Sequence, residues 1–222
     1  MSELTTAHHD WDQRWATDAG REAWLRPEAS VERVFRQYLV GDQPMVVDLG
    51  CGVGRHALFY AEAGARVLAC DGAAQGLAFG RASAEEAGLG PRIRWHRGPF
   101  DQIPGDDQSV DLVLAWNVIY HGTMDDIASA LAEIHRVLHK DGLAQLTMLS
   151  KRNARYGIGS EVAPNTWVDE SDAEKAHAHC YTDERDLLNL FGDAFAIFEL
   201  CDREHKYPGS GSWHWEIVIQ KR

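Results

Sequence analysis

The chain is 222 residues long and 45% hydrophobic, and 34 Asp and Glu against 22 Lys and Arg give it a formal net charge of −12. A chain of this size suits one α/β domain that buries roughly 70% of its unfolded surface and needs no staple to fold. The acidity argues against nucleic acid and anionic membrane surfaces, which bind clustered Lys and Arg, and no apolar run approaches the ~20 residues of a membrane span.

Residues 1–40 precede the first core strand and read as a helical arm. Met45-Val46-Val47-Asp48-Leu49 is short, apolar and β-branched and stops at glycines, as a buried parallel strand does. After Gly50-Cys51-Gly52-Val53-Gly54, a helical pattern runs from Arg55 to Ala63 and ends at Gly64. Ala65 to Cys70 is a second strand, ending at Asp71, and completes a right-handed strand–helix–strand unit. The pattern then repeats, with a helix over 73–87, a strand from Ile93 to His96 and another from Val110 to Trp116. Ile127, Leu131, Ile134, Val137 and Leu138 mark one helical face. Asp125 and Asp126 in its first turn and His139-Lys140 at its end suit the helix dipole. Leu143 to Leu149 is a fifth strand.

From Ser150 to Tyr181 periodicity fails, and residues 151–181 are expected to form an irregular insertion of the lid or binding-loop kind. A helix over 183–191 follows, then strands from Ala194 to Leu200 and Trp213 to Ile219. These two can pair antiparallel across Tyr207-Pro208-Gly209-Ser210-Gly211. One domain over 1–222 is expected: arm 1–40, cofactor-binding core 45–150, insertion 151–181, and a C-terminal helix and strand pair over 182–222. No signal-peptide pattern opens the sequence, and Cys51, Cys70, Cys180 and Cys201 lack C-x-x-C spacing. A cytoplasmic protein without a disulfide framework or structural zinc is therefore expected.

Glycines between a strand end and a helix start let a ligand reach backbone N–H groups. A dinucleotide fingerprint would need a third glycine where Arg55 stands. The chain instead spaces its glycines G-x-G-x-G and sets Asp48 two residues before the first. A pyrophosphate gains nothing from that acid, whereas a cationic ligand does. Asp71, 17 residues past Gly54, lies near the ~20-residue offset at which an acid meets a ribose hydroxyl. These features together describe a cationic, ribose-bearing cofactor without phosphate.

The run from Val46 to Gly54 closely resembles the first motif of class I S-adenosylmethionine-dependent methyltransferases. Cys70-Asp71-Gly72 is similar to their second motif, whose acid holds the ribose hydroxyls. Arg97-Gly98-Pro99-Phe100 and Val110-Asp111-Leu112-Val113 resemble the adenine-side loop and fourth strand. Where that family commonly has an acid for the adenine amino group this chain has Pro99, with Asp101 as a possible substitute. His135 to Leu138 and Asp141-Gly142-Leu143 resemble the passage into the fifth strand. The implied fold is α/β: a Rossmann-like, doubly wound, mostly parallel seven-stranded sheet with a reversed C-terminal strand.

Trp11-Asp12-Gln13-Arg14-Trp15 resembles the amino-terminal arms of small-molecule methyltransferases of the tellurite-resistance and thiopurine types, which close over the cofactor. Arg14 could fork onto the cofactor carboxylate while tryptophan faces attract the sulfonium. An amphipathic helix with Trp11, Trp15 and Trp24 packed on the body is the plainer reading, and both can hold. The resemblance thus implies S-adenosylmethionine as cofactor and S-adenosylhomocysteine as product. The expected contacts are Trp11, Arg14, Trp15, Asp48, Gly50, Cys51, Gly52, Gly54, Asp71, Gly72, Pro99, Phe100 and Asn117.

His121, Tyr120 and His179, in that order, are the candidates for a catalytic base, needed only for an un-ionised hydroxyl or amine acceptor. His177, His179, Cys180, His205 and His214 fall late. They can be scattered surface residues, line a substrate pocket, or hold a metal, and no metal ligand is assigned. The expected activity is methyl transfer to a small molecule, whether thiol, chalcogen oxyanion, hydroxyl or amine. A cofactor-binding module without chemistry and a nicotinamide oxidoreductase are the rivals.

Overall fold

The computed structural model describes residues 7–39, 41–172, 176–205 and 211–222. The arm comprises α1 (Ala7–Trp15), α2 (Asp18–Arg21), a 3-10 turn (Glu22–Trp24) and α3 (Ala29–Tyr38). The alternating core follows as β1 (Met45–Leu49), α4 (Arg55–Glu62), β2 (Arg66–Asp71), α5 (Ala74–Glu86), β3 (Ile93–Arg97), β4 (Val110–Ala115), α6 (Met124–Val137) and β5 (Leu138–Ser150). Three short strands come next, β6 (Ser160–Ala163), β7 (Thr166–Val168) and β8 (His179–Thr182). The chain closes with α7 (Glu184–Phe191), β9 (Phe195–His205) and β10 (Ser212–Lys221).

The main sheet runs β3-β2-β1-β4-β5, and β10 then pairs with β5 and β9. The first five strands are parallel, while β10 lies antiparallel to both its neighbours. This is the seven-strand order with a reversed last strand that the sequence implies. Of the expected turn between β9 and β10, residues 207–210 lie outside the described residues. Alternate residues of each strand serve opposite faces. Val47 and Leu49 join Ile127, Ile134, Leu187 and Phe191 on the α6–α7 side. Val46, Leu112 and Leu114 join Val31, Val34 and Tyr60 on the side of α3 and α4. Cover on both faces explains why the strands read as unbroken apolar runs.

Residues 151–181 are more ordered than expected. β6 and β7 form a hairpin, β8 adds to β7, and β8 joins the end of β5 through Leu149–Tyr181 and Ser150–Thr182. The hairpin's first strand is largely exposed, so no period-2 apolar signal marked it.

A second difference concerns the end of α6. His139 and Lys140 do not close the helix but begin β5, where His139 Nε2 lies 2.8 Å from Asp111 Oδ1. The cation at the helix end is Lys221, nearly buried, whose Nζ donates to the carbonyls of His135 and Leu138 at 2.7 Å each. A residue 86 positions away supplies the cap, so no local signal points to it. Lys221→Met leaves two carbonyls without their donor, and hydrogen bonds to charged groups contribute roughly 1.5–3 kcal/mol. Urea unfolding should register a loss of about 2 kcal/mol, and an unchanged midpoint would contradict this capping role.

Candidate active site

The glycine loop leaves β1 and turns into α4 at the carboxyl edge of the sheet, where β1 and β4 diverge to opposite sides. In such open sheets that crevice is where ligands bind. Gly50 and Cys51 donate their N–H groups to the Cys70 carbonyl at 2.8 and 3.0 Å, tying the loop to β2. Gly50 has φ 69, and a Cβ there would stand 2.3 Å from Val118 Cγ2. Only glycine meets both conditions. Asp71 stiffens the same corner, because Oδ2 accepts from Gly52 N–H and Oδ1 from Ala73 N–H, each at 2.7 Å. Desolvation raises its pKa, and these two backbone donors oppose the rise.

A cavity of about 420 Å³ opens beside this loop. Leu49, Gly50, Cys51 and Gly52 border it on one side, and Cys70, Asp71 and Gly72 on another. Pro99 and Phe100 border it past β3, and Trp116, Asn117, Val118 and His121 past β4. Asn117 holds φ 59 and is fixed by Thr147, whose hydroxyl accepts from the Asn117 N–H at 2.7 Å and donates to Oδ1 at 3.0 Å.

The arm forms the roof through Ala7, His8, Trp11, Trp15 and Trp24. Trp11 stacks on Trp15 with centroids 5.0 Å apart, and Trp24 meets both edge-on at 5.3 and 5.7 Å. Asp12 Oδ1 accepts from Gln75 N–H at 2.7 Å, pinning α1 to the first turn of α5. The arm therefore packs on the body, as the plainer reading expects, and borders the cavity from above. Its seat requires the glycine of α5, since a Cβ on Gly76 would lie 2.7 Å from the Gly52 carbonyl oxygen and 2.9 Å from Trp15 Cδ1. Helix propensity alone would make Gly76→Ala stabilising by about 1 kcal/mol. The clash instead predicts a displaced arm, read as a red-shifted tryptophan emission with weaker ligand binding; parental emission would contradict the seating.

Three expected cofactor contacts, Asp48, Gly54 and Arg14, and two catalytic candidates, Tyr120 and His179, stand back from the cavity wall. Asp48 lies beneath the loop, nearly fully buried, and its Oδ2 meets no hydrogen-bond donor among the described residues. Its side chain leaves β1 on the α3–α4 face of the sheet, because Val47 and Leu49 take the other. Burial pushes its pKa up to about 7, against the Ala57 N–H and the charge of Arg55. Gly54 turns toward Trp95 and Gly80 instead. Arg14 places its guanidinium over the Trp11 ring at 5.1 Å. Tyr120 and His179 lie one layer further out, with ring centroids 4.6 and 4.8 Å from that of His121. Asp101 does not border the cavity either, so Pro99 has no acidic substitute there.

Arg55 and His56 are wall residues that the sequence reading missed. Arg55 pairs with Glu28 at 3.1 Å, donates to the Arg26 carbonyl at 3.1 Å and lies over Trp24 at 5.2 Å. His56 accepts from Glu28 N–H at 3.2 Å, and burial drives its pKa well down, so it is neutral. The signal for Arg55 was its place at the helix start, read there only as a missing glycine.

The late histidines are not scattered over the surface. His177, His179 and His214 are buried, and the first two pack with His121. His214 lies between His205 and Tyr120, with centroids at 4.8 and 5.9 Å. Burial pushes the Cys180 thiol up to about 11, which removes it from thiolate chemistry.

Residues 46–142 match the model of a methyltransferase domain, from β1 into β5. A ubiquinone biosynthesis O-methyltransferase of Ruegeria pomeroyi is 26% identical over 175 residues, which is 78% of this chain and 66% of that relative. Among solved structures, a SAM-dependent methyltransferase from Methanosarcina mazei superposes with a TM-score of 0.72 at 18% identity, covering 89% of this chain and 99% of the other. The 1,6-didemethyltoxoflavin-N1-methyltransferase of Burkholderia thailandensis, solved with bound 1,6-didemethyltoxoflavin and S-adenosylhomocysteine, gives 0.65 at 21% identity over 97% of this chain and 90% of that one. TehB from Haemophilus influenzae gives 0.69 at 13% identity, over 92% and 66%. The structural neighbours share the fold. Residues 46–142 thus resemble a methyltransferase domain, and the strand order with its reversed last strand is a fold shared with these solved structures.

Proposed function

We propose that the protein transfers a methyl group from S-adenosylmethionine to a small-molecule acceptor in the cavity beneath the arm. The observation that carries this reading is one tryptophan-roofed cavity of about 420 Å³ with the glycine loop and Asp71 at its sides and His121 on its wall. That volume lies within the roughly 300–1,000 Å³ of small-ligand sites. The residues suit the cofactor: each Asp71 oxygen keeps a lone pair beyond its backbone bond for a ribose hydroxyl. Trp11, Trp15 and Trp24 offer ring faces to a sulfonium and exclude water. Arg55, held by Glu28, takes over from Arg14 as the cation beside the cofactor carboxylate.

The cofactor, when bound, supplies a methyl group activated by its positive sulfur. The chain's own work is to hold acceptor and methyl carbon in line, where proximity supplies most of the acceleration. His121 would take the proton of a hydroxyl or amine acceptor, with Tyr120 and His179 packed behind it. The acceptor is a small molecule with an ionisable oxygen, nitrogen, sulfur or chalcogen atom. The net charge leaves nucleic acid outside this reading. No described helix is long and apolar enough to cross a membrane.

An assay for S-adenosylhomocysteine release across phenols, thiols, amines, selenite and tellurite tests the reading. Turnover with one class, slowed at least about 100-fold in His121→Ala for a hydroxyl or amine acceptor, is expected. No turnover with any class would leave only a binding module.

A further inference from the structure

His121, His177 and His179 each bring a ring nitrogen to within 4.8 Å of the others. They come from two separate stretches, the loop after β4 and the segment leading into β8, and His177 and His179 are 4% and 1% exposed. Two of the rings are oriented by acceptors behind them. His179 Nδ1 lies 2.8 Å from the His177 carbonyl, which can only accept, so Nδ1 carries the proton and Nε2 the lone pair. His177 Nδ1 lies 3.4 Å from Asp10 Oδ2, which sets its proton the same way and turns Nε2 toward His121 Nδ1 at 3.0 Å. A carboxylate or carbonyl behind an imidazole is the arrangement that fixes metal-binding histidines. The 3.0 Å spacing also approaches the roughly 3.3 Å edge of a tetrahedron built on bonds of about 2.0–2.1 Å.

We propose that His121, His177 and His179 bind a zinc-type divalent cation, oriented through Asp10, with an open position for the ionisable atom of the acceptor. Three histidines and an open position describe a catalytic rather than a closed structural centre. Imidazole nitrogens select zinc, cobalt, nickel or iron over magnesium or calcium. Because His121 also borders the cavity, the ion sits at one end of it. There it lowers the pKa of a bound hydroxyl or thiol, which releases its proton to water; the base role of His121 then belongs to the ion-free protein. Asp10 belongs to α1, so ion binding and docking of the arm support each other. The acceptor's part rests on the methyltransferase reading; the ion's part rests on the histidine geometry alone.

Untagged, chelator-dialysed protein titrated with cobalt(II) tests this without cofactor. One equivalent is expected to give the intense visible bands of a four-coordinate site, displaced by one equivalent of zinc. His177→Ala and His179→Gln should each abolish the bands, and Asp10→Asn should weaken binding roughly 10–100-fold. S-adenosylhomocysteine calorimetry on the same metal-free proteins, before cobalt is added, reports folding and separates the two claims, since neither His177 nor His179 borders the cavity. Cobalt bands with no S-adenosylhomocysteine heat would leave the ion site standing and remove the methyltransferase reading. No saturable cobalt or zinc uptake at micromolar concentration, or uptake unchanged in both histidine variants, would overturn the ion site.

Discussion

Replacing Asp71 with Ala is expected to weaken binding of S-adenosylmethionine and S-adenosylhomocysteine by at least about 100-fold, near 3 kcal/mol. Two effects add. The ribose loses charge-assisted hydrogen bonds contributing roughly 1.5–3 kcal/mol each. The Gly52 and Ala73 N–H groups lose the acceptor that fixes the corner of the glycine loop. Asp71→Asn retains one accepting oxygen and should fall between parent and Ala. Calorimetry checks both, and an Asp71→Ala variant that binds as the parent does would remove the ribose assignment.

The second large effect is a pH dependence of stability centred on Asp48. Its folded pKa of about 7 stands above the ordinary 3.8, because the carboxyl is buried beneath the loop. The folded state therefore binds a proton that the unfolded chain has released. Stability from this group is fully present below about pH 4 and is lost as pH rises to about 7. At 1.36 kcal/mol per pKa step, the change is roughly 4 kcal/mol. Asp48→Asn keeps the shape and removes the titration. Denaturant midpoints at several pH values should show the variant gaining on the parent between pH 4 and 8, by a few kcal/mol. Parallel curves would mean that Asp48 is ionised throughout.

Much of the fold was legible because it is local. Val46 to Leu49 has one period, Arg55 to Glu62 another, and glycines punctuate them, so β1, α4 and β2 followed directly from the sequence. The site was legible where one residue type meets one chemical need, as at Gly50 and Asp71. It was not legible where distance in the chain decides. Lys221 caps α6 from the last strand, Arg55 faces the cavity only because Glu28 and Trp24 fold over it, and Asp48 sits behind the loop because alternation sends Leu49 the other way. The histidines show the same limit. The sequence left surface, pocket and metal readings open, and only pairing of β8 with β5 carries His177 and His179 to His121. The first strand of residues 151–181 escaped notice because an exposed segment carries no hydrophobic period, and the two more buried ones because three or four residues are too few to show one.

The central claim is that the cavity between the glycine loop and the tryptophan arm takes S-adenosylmethionine. Titration calorimetry of the intact chain with S-adenosylhomocysteine, S-adenosylmethionine and NAD tests it most directly. The account predicts saturable one-site binding of the first two, lost in Asp71→Ala and weakened in Gly76→Ala, with no heat from NAD. Tight NAD binding without response to either adenosyl compound would contradict it.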